Sequence, residues 1–299
     1  MSTHLSLKGQ PVLGAFLVAL GMFMFGIGNA VVKHVDLPVH QILFLRCLFG
    51  LPFLMILRPY IAKKNAYTTT KPKLQILRGV IGFSALYGLY YSIDQLPLAD
   101  ATALSFSTPL FITALSMPLL GEIVGLKRWV AVVFGFIGVI VIAKPTGDVN
   151  LLGVTAGVVA ALLDALVMVI SRILSKTDAV FTSVFYHTLI SLILLAIMCL
   201  FNWSPMNFEQ AGFLALLAFV SISGHLAIVK AYSIADAVVV APMLYTLIIW
   251  GLLFGYFVWG EDPGGNLLIG TPIVILSGLY IVWRERKLGV PHIQEKDLV

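Results

Sequence analysis

A chain of 299 residues that is 60% hydrophobic and only 11% charged, with a mean hydropathy of +1.00, cannot clothe a soluble surface. Such a surface takes roughly 25% charged residues, so lipid has to be the solvent for most of this chain. The formal charge of +5 and pI of 9.2 would suit nucleic acid. The basic residues, however, fall between apolar runs and not in one patch, which excludes nucleic acid as the partner and makes the charge a record of membrane topology.

In chain order, residues 1–10 read as a short cytoplasmic lead with the single basic residue Lys8 and no cleavage signal. Backbone amides in hydrocarbon must be satisfied within their own segment, so the apolar runs that follow are predicted helices. Ten are expected, at about 11–32, 38–57, 75–93, 98–119, 129–143, 151–171, 179–200, 209–229, 238–258 and 267–283. Residues 285–299 form a cytoplasmic tail. With the N-terminus inside, sixteen Lys and Arg fall in cytoplasmic segments, Arg78 among them; Lys33 and Lys144 fall outside, and Arg46 lies within the membrane. That asymmetry places both termini in the cytoplasm and supports the number of crossings. Cys47 and Cys199 sit in separate apolar runs and read as buried thiols without a disulfide.

The sequence repeats itself at a shift of 139 residues. Gly14 meets Gly153, Lys33 meets Arg172, and Gly121-Glu122 meets Gly260-Glu261; with one further residue of gap, 138–144 meets 278–284. The chain therefore divides into five-helix repeats at 11–144 and 151–284. An odd number of crossings turns the second repeat over relative to the first, so the expected fold is an all-α membrane protein of two inverted halves. Secondary transporters use this design around a midplane site.

Charges inside spans are costly and face a cavity or a partner. Asp164 lies near the middle of the sixth span and would take a cationic group or a coupling proton. Arg46, in the second, suits a substrate carboxylate; the two would equally serve as a structural pair. His187 and His225 read either as cavity groups or as helix-to-helix hydrogen bonders. Asn29 is polar among glycines near the end of the first span. Tyr87 and Tyr91 are four apart, hence on one helical face, and Phe106, Tyr245 and Trp250 offer further ring faces for a planar or onium group. Pro109 and Pro242 interrupt spans of opposite halves without aligning under the shift. Glu122 and Glu261, at span ends, read as caps and not as binding groups. No phosphate-binding loop, no nucleophile motif and no metal-ligand cluster occurs, so no cofactor, metal or enzymatic chemistry is expected.

Taken together, Leu45-Arg46, Ser105 to Phe111, Gly121-Glu122, Arg128-Trp129, Gly135 to Gly138, Asp236-Ala237, Ala241-Pro242 and Gly260-Glu261 resemble the drug/metabolite transporter superfamily, in its EamA-like group. Within that group, Ile76 to Gly79, Ser105 to Phe111, Lys127 to Trp129, Leu163-Asp164 and Lys230-Ala231 are similar to S-adenosylmethionine uptake carriers of α-proteobacterial type. The resemblance implies a ten-helix bundle in the bacterial inner membrane, with a central cavity and alternating access. It implies a small polar metabolite as substrate, riboflavin import or amino-acid export being the alternatives. Transport is expected to be driven by a proton gradient or by exchange, and a monomer or homodimer is the expected state. An intramembrane enzyme acting on lipid is the reading from another class; it would want a catalytic cluster at one membrane face.

Overall fold

The structure is a computed structural model, and it describes residues 11–61, 67–120, 125–143, 150–174, 177–235 and 242–287. All regular structure in these residues is helical. The helices are α1 Pro11–His34, α2 Val39–Ile61, α3 Pro72–Gln95, α4 Leu98–Ser105, α5 Thr108–Leu120 and α6 Leu126–Ala143 in the first half. In the second half they are α7 Leu151–Leu174, α8 Val180–Phe201, α9 Phe208–Ile234, α10 Thr246–Trp259 and α11 Gly265–Lys287. Nine segments among the described residues are long and apolar enough to cross a membrane. The remaining helix, α6, has 18 apolar-rich residues and packs along α11, so the expected ten crossings fit this set. Large apolar side chains such as Phe16, Ile56, Phe134, Leu200, Phe201 and Phe257 lie on the outside of the bundle. A soluble protein does not tolerate an apolar surface of that extent; hydrocarbon covers it here.

Helix packing follows the repeat. Replacing α1 by α7, α2 by α8, α3 by α9, α4–α5 by α10 and α6 by α11 exchanges the most extensive helix contacts among the described residues. The α3–α7 pair becomes α9–α1, α3–α8 becomes α9–α2, and α4 and α5 against α7 become α10 against α1; α2–α8 and α6–α11 are their own images. A two-fold relation between halves gives this exchange, and five crossings per half put the axis in the membrane plane. Small residues make the closest crossings possible. A Cβ at Gly138 of α6 would lie 3.0 Å from the Gly270 carbonyl oxygen of α11, and one at Gly270 would lie 2.7 Å from the Gly138 oxygen. Gly21 of α1 and Gly224 of α9 face each other's carbonyls in the same way, at 2.9 and 3.1 Å.

Two crossings, Leu98–Ser116 and Pro242–Trp259, are not continuous helices. The first breaks at Phe106-Ser107 and the second at Tyr245. Phe106 and Tyr245 are 139 residues apart, so the interruptions align under the repeat although Pro109 and Pro242 do not. Pro109 lies just after its break and Pro242 just before its own. A proline deletes one helical donor and frees a carbonyl on its N-terminal side. Hydroxyls fill in: Thr108 Oγ1 donates to Ser105 O at 2.9 Å, while the repeat-related Ser107 and Thr246 donate to Leu104 O and Met243 O, each at 2.7 Å.

At the end of the bundle where α1 stops, one motif ties three corners together. α10 ends at Gly260, the one described residue in the left-handed region (φ 66°), where a side chain would be strained. The turn it makes swings Glu261 back over Gly255, whose missing side chain leaves room; a Cβ there would lie 2.6 Å from Glu261 Oε2. Glu261 accepts a hydrogen bond from the Leu98 N–H at 2.8 Å, at the first turn of α4, and forms an ion pair with Lys33. Lys33 also donates to Leu96 O at 2.6 Å and lies 5.8 Å from the Trp259 ring centre. Glu261 is thus a cap and a latch, in keeping with its reading as a capping residue. Its repeat mate Glu122 lies outside the described residues, as do Lys144, Asp236 and the side chain of Arg172.

Candidate substrate site

The interior polar groups come from α2, α3, α7, α8 and α9, which meet around the broken crossings. Asp164 of α7 is half-buried and faces the bundle, with the Thr108 hydroxyl at the start of α5 and the Arg78 guanidinium of α3 as its polar neighbours. The break at Phe106-Ser107 is what brings Thr108 to that place.

Arg78 is the interior charge that sequence reasoning missed. Its position near the start of a span makes it look like one of the cytoplasmic charges. In the structure its Nε donates to Ser171 Oγ of α7 at 2.7 Å and its Nη1 to Ser183 O of α8 at 3.0 Å. It is an interior cation bridging three helices and drops out of the topological count, leaving the asymmetry intact. The available signal was Ser171, a polar residue two turns along α7 from Asp164.

Arg46 of α2 does not pair with Asp164. Its Nε donates to Ser221 Oγ of α9 at 3.2 Å. Tyr90, buried on α3, shares that serine and lies under the influence of the same guanidinium. The sequence singled out Tyr87 and Tyr91 on the neighbouring face. Both are half-buried and near one another, with Tyr87 6.0 Å from the Phe83 ring, but Tyr90 is the tyrosine joined to the arginine.

Two histidines lie within the electrostatic reach of both guanidinium groups. His187 of α8 packs on Gly82 of α3, where a Cβ would come within 2.7 Å of Nδ1. That nitrogen is buried and has no hydrogen-bond partner among the described residues. His225 of α9 lies one turn beyond Ser221 and is exposed; Arg78 and Arg46 both act on it, as they do on His187.

Phe106 and Tyr245, the residues at the two breaks, stack on each other with ring centres 5.0 Å apart and planes at 30°. The repeat axis thus passes by an aromatic pair. The Tyr245 hydroxyl reaches α11 where Gly278 leaves space that a Cβ would fill. Trp250 is placed elsewhere. It lies between α1 and α10, 4.7 Å from Phe23 and 6.2 Å from Phe254, against Gly26. Its indole N–H is buried without a partner among the described residues. Asn29 is half-buried on α1 with no hydrogen bond to a described residue. Neither joins the cluster around Asp164. Cys47 and Cys199 are free, buried thiols, and no group of three or more metal-ligating side chains occurs among the described residues.

A bundle of two inverted halves, helices broken at equivalent depths and ionisable groups turned inward defines a multi-pass membrane carrier of small molecules. The chain belongs to the EamA-like transporter family, whose sequence profile matches residues 12–144 and again 151–283. Among curated relatives it is similar to the "S-adenosylmethionine uptake transporter" of Rickettsia felis, 30% identical over 295 residues, 93% of this chain and 97% of that one. It is also similar to the "Riboflavin transporter" of Vibrio cholerae, 29% identical over 95% of this chain and 97% of that one. A solved structure titled "Crystal structure of protein" shares the fold with a TM-score of 0.62 at 16% identity, covering 90% of this chain and 95% of the other. The protein is a transporter and not an enzyme, with a small-molecule substrate and a lipid environment.

Proposed function

We propose that this transporter moves S-adenosylmethionine across the bacterial inner membrane, by uptake or exchange, through alternating access with both termini in the cytoplasm. The observation that carries the reading is Asp164. A carboxylate inside the bundle, with a hydroxyl and the Arg78 guanidinium as neighbours, is a recognition point for a sulfonium or ammonium group. The stacked Phe106 and Tyr245 supply aromatic faces on which a purine can lie and beside which an onium group is stabilised. Similarity to the Rickettsia carrier over nearly the whole chain supports the same substrate. In this orientation the Lys33–Glu261 end is the outer one. Both halves of the site come from one chain, so a monomer suffices for transport and a homodimer is compatible with it.

Labelled S-adenosylmethionine in proteoliposomes tests the assignment. Asp164→Asn should abolish most uptake while the purified variant keeps its insertion and thermal stability; undiminished uptake removes Asp164 from the mechanism. Riboflavin is the second reading, favoured by the aromatic pair and by the Vibrio relative. It predicts competition by riboflavin and indifference to Asp164→Asn, since its ring system carries no cation. The coupling ion we assign to the proton: collapsing the pH gradient should end accumulation, whereas full counterflow without a gradient would assign exchange.

A further inference from the structure

At the end of the bundle opposite to Lys33 and Glu261, the segment before α3 meets the corner between α7 and α8. Asp178 lies in that corner, 5% exposed and outside the crossings. Its Oδ2 accepts from the Thr69 hydroxyl at 2.5 Å and from Gln75 Nε2 of α3 at 2.7 Å. Gln75, itself 1% exposed, also donates through Nε2 to Ser183 Oγ of α8 at 3.2 Å. Two oxygens of this bonded pair, Asp178 Oδ1 and Gln75 Oε1, are buried with no donor among the described residues. Buried acceptors are paired as a rule, so two orphans on side chains already joined to each other call for a shared donor. The charged and titratable groups around the pair are Tyr67 and Lys71 before α3, Arg58 of α2 lying 4.6 Å over the Tyr67 ring, Arg78 of α3, and Tyr186 of α8, whose hydroxyl donates to Tyr67 O. Lys71 reaches the pair through its backbone N–H on Thr69 Oγ1, and Arg78 through Ser183 O; among the described residues no cation bonds the carboxylate. Lys176 and the side chain of Arg172 lie outside those residues. The repeat-related corner at the other end is built alike but is neutral. There Gln41 of α2 donates to Ser204 O at 2.9 Å and accepts from Ser204 N–H at 3.0 Å, and Val39 stands 139 residues before Asp178.

We propose that Asp178 is a proton-binding site on the cytoplasmic side of the transporter, the proton residing on Oδ1 and being donated to Gln75 Oε1. This inference rests on the orientation and the proton coupling of the preceding section and gives the coupling proton a place. An ionised carboxylate only accepts, whereas a protonated one donates through one oxygen. With Gln75 Nε2 giving to Oδ2, an Oδ1–H giving to Oε1 closes an acid–amide ring, and a single proton serves both orphaned oxygens. The end torsions of Asp and Gln are soft, so the two planar groups can turn to face each other without moving the backbone. Loading adds one proton to the carboxylate and unloading returns it to the cytoplasm. A hard metal cation fits less well, since it takes about six oxygen ligands and this pair offers two. Loading is also felt further in. Gln75 and Arg78 are three apart on α3 and share a face. Ser183 joins them, accepting from Gln75 at its hydroxyl and from Arg78 at its carbonyl, and Arg78 in turn holds Ser171, two turns along α7 from Asp164.

Infrared difference spectra of the full chain in lipid vesicles, recorded between acid and alkaline pH, test the site without any substrate. Wild type should show a carboxylic-acid carbonyl band that Asp178→Asn lacks. Thr69→Val, which removes a donor that favours the ionised form, should move the titration of that band to higher pH. A spectrum that is the same in wild type and Asp178→Asn overturns the site and leaves a bridging water as the shared donor. The part played in coupling is read from transport in proteoliposomes. An Asn amide can take the place of the protonated acid in the ring, so Asp178→Asn should lose accumulation driven by a pH gradient far more than counterflow of S-adenosylmethionine, which moves no net proton. Equal loss of both, or undiminished accumulation, overturns the coupling role. If wild type shows neither accumulation nor counterflow of S-adenosylmethionine, the substrate assignment falls separately, and the infrared band decides the site by itself.

Discussion

Substituting Glu261 by Gln should open the Lys33 end of the bundle. The isosteric amide still fills the space over Gly255 but carries no charge. Two interactions weaken: the hydrogen bond from the Leu98 N–H, at 2.8 Å, and the ion pair with Lys33, whose two side chains are only 15% and 18% exposed. A hydrogen bond to an ionised acceptor contributes about 1.5–3 kcal/mol and a neutral one about 0.5–1.5, so the first change costs about 1 kcal/mol. The ion pair is sheltered from full solvent screening and adds about 1 kcal/mol more, Lys33 keeping its bond to Leu96 O. We propose that these contacts hold this end closed and are lost when it opens, because the partners come from the end of α1, the corner between α3 and α4, and the end of α10. About 2 kcal/mol therefore shifts the balance of open to closed by roughly thirtyfold. The reporter is Thr102→Cys, one turn beyond Leu98 and 1% exposed, in a chain whose Cys47 and Cys199 are replaced by Ala. Its labelling rate with a membrane-impermeant maleimide from the Lys33 side should rise by about that factor when Glu261→Gln is added. An unchanged rate would show that the latch does not hold this end closed, and the reasoning would be refuted.

Other substitutions probe the backbone devices. Gly260→Ala places a side chain at φ 66° and should lower stability by about 1 kcal/mol, read as a lower melting temperature in detergent. Gly270→Val forces a branched side chain against the Gly138 carbonyl, 2.7 Å from its Cβ, and should reduce stability by more than 2 kcal/mol (about the cost of overpacking), with loss of folded protein on size exclusion. Phe106→Ala removes one partner of the stacked pair. It should raise the half-saturation concentration for substrate several-fold with little change in melting temperature; unaltered transport would take the pair out of the site. Gly278→Leu should displace the Tyr245 hydroxyl and reproduce the transport defect of Phe106→Ala without touching the ring itself.

The fold was legible because its causes are periodic and composition-driven. Runs of apolar residues long enough to cross hydrocarbon leave no alternative to helix, and the shared Gly-Glu and basic helix ends disclosed the repeat. Asp164 and Arg46 stood out for the same reason, since a charge in such a run needs an explanation. Side-chain pairings were not legible. Whether Arg46 meets Asp164 or Ser221 depends on how α2, α7 and α9 rotate about their own axes, which hydropathy does not specify. Arg78 was hidden by its position near a helix start, where snorkelling to the surface is the ordinary outcome. Trp250 and Phe106 looked alike as aromatics within spans. Only the contacts distinguish the first, packed on Phe23 and Gly26, from the second, set at a break.

The broken crossings connect the repeat to the site. Pro109 and Pro242 do not correspond, and a reading confined to prolines would call the interruptions unrelated. The hydroxyls argue otherwise, for Ser107 and Thr246 stand at equivalent positions and each serves the carbonyl three residues before it. What the two halves share is thus a point where the helix is released, with an aromatic residue in front of the hydroxyl; the proline that releases it can stand on either side. Release at that depth allows Thr108 to reach Asp164 in the first half, while the second half has Leu247 at the equivalent place and no hydroxyl to offer. Near-symmetric backbones therefore carry an asymmetric set of charges.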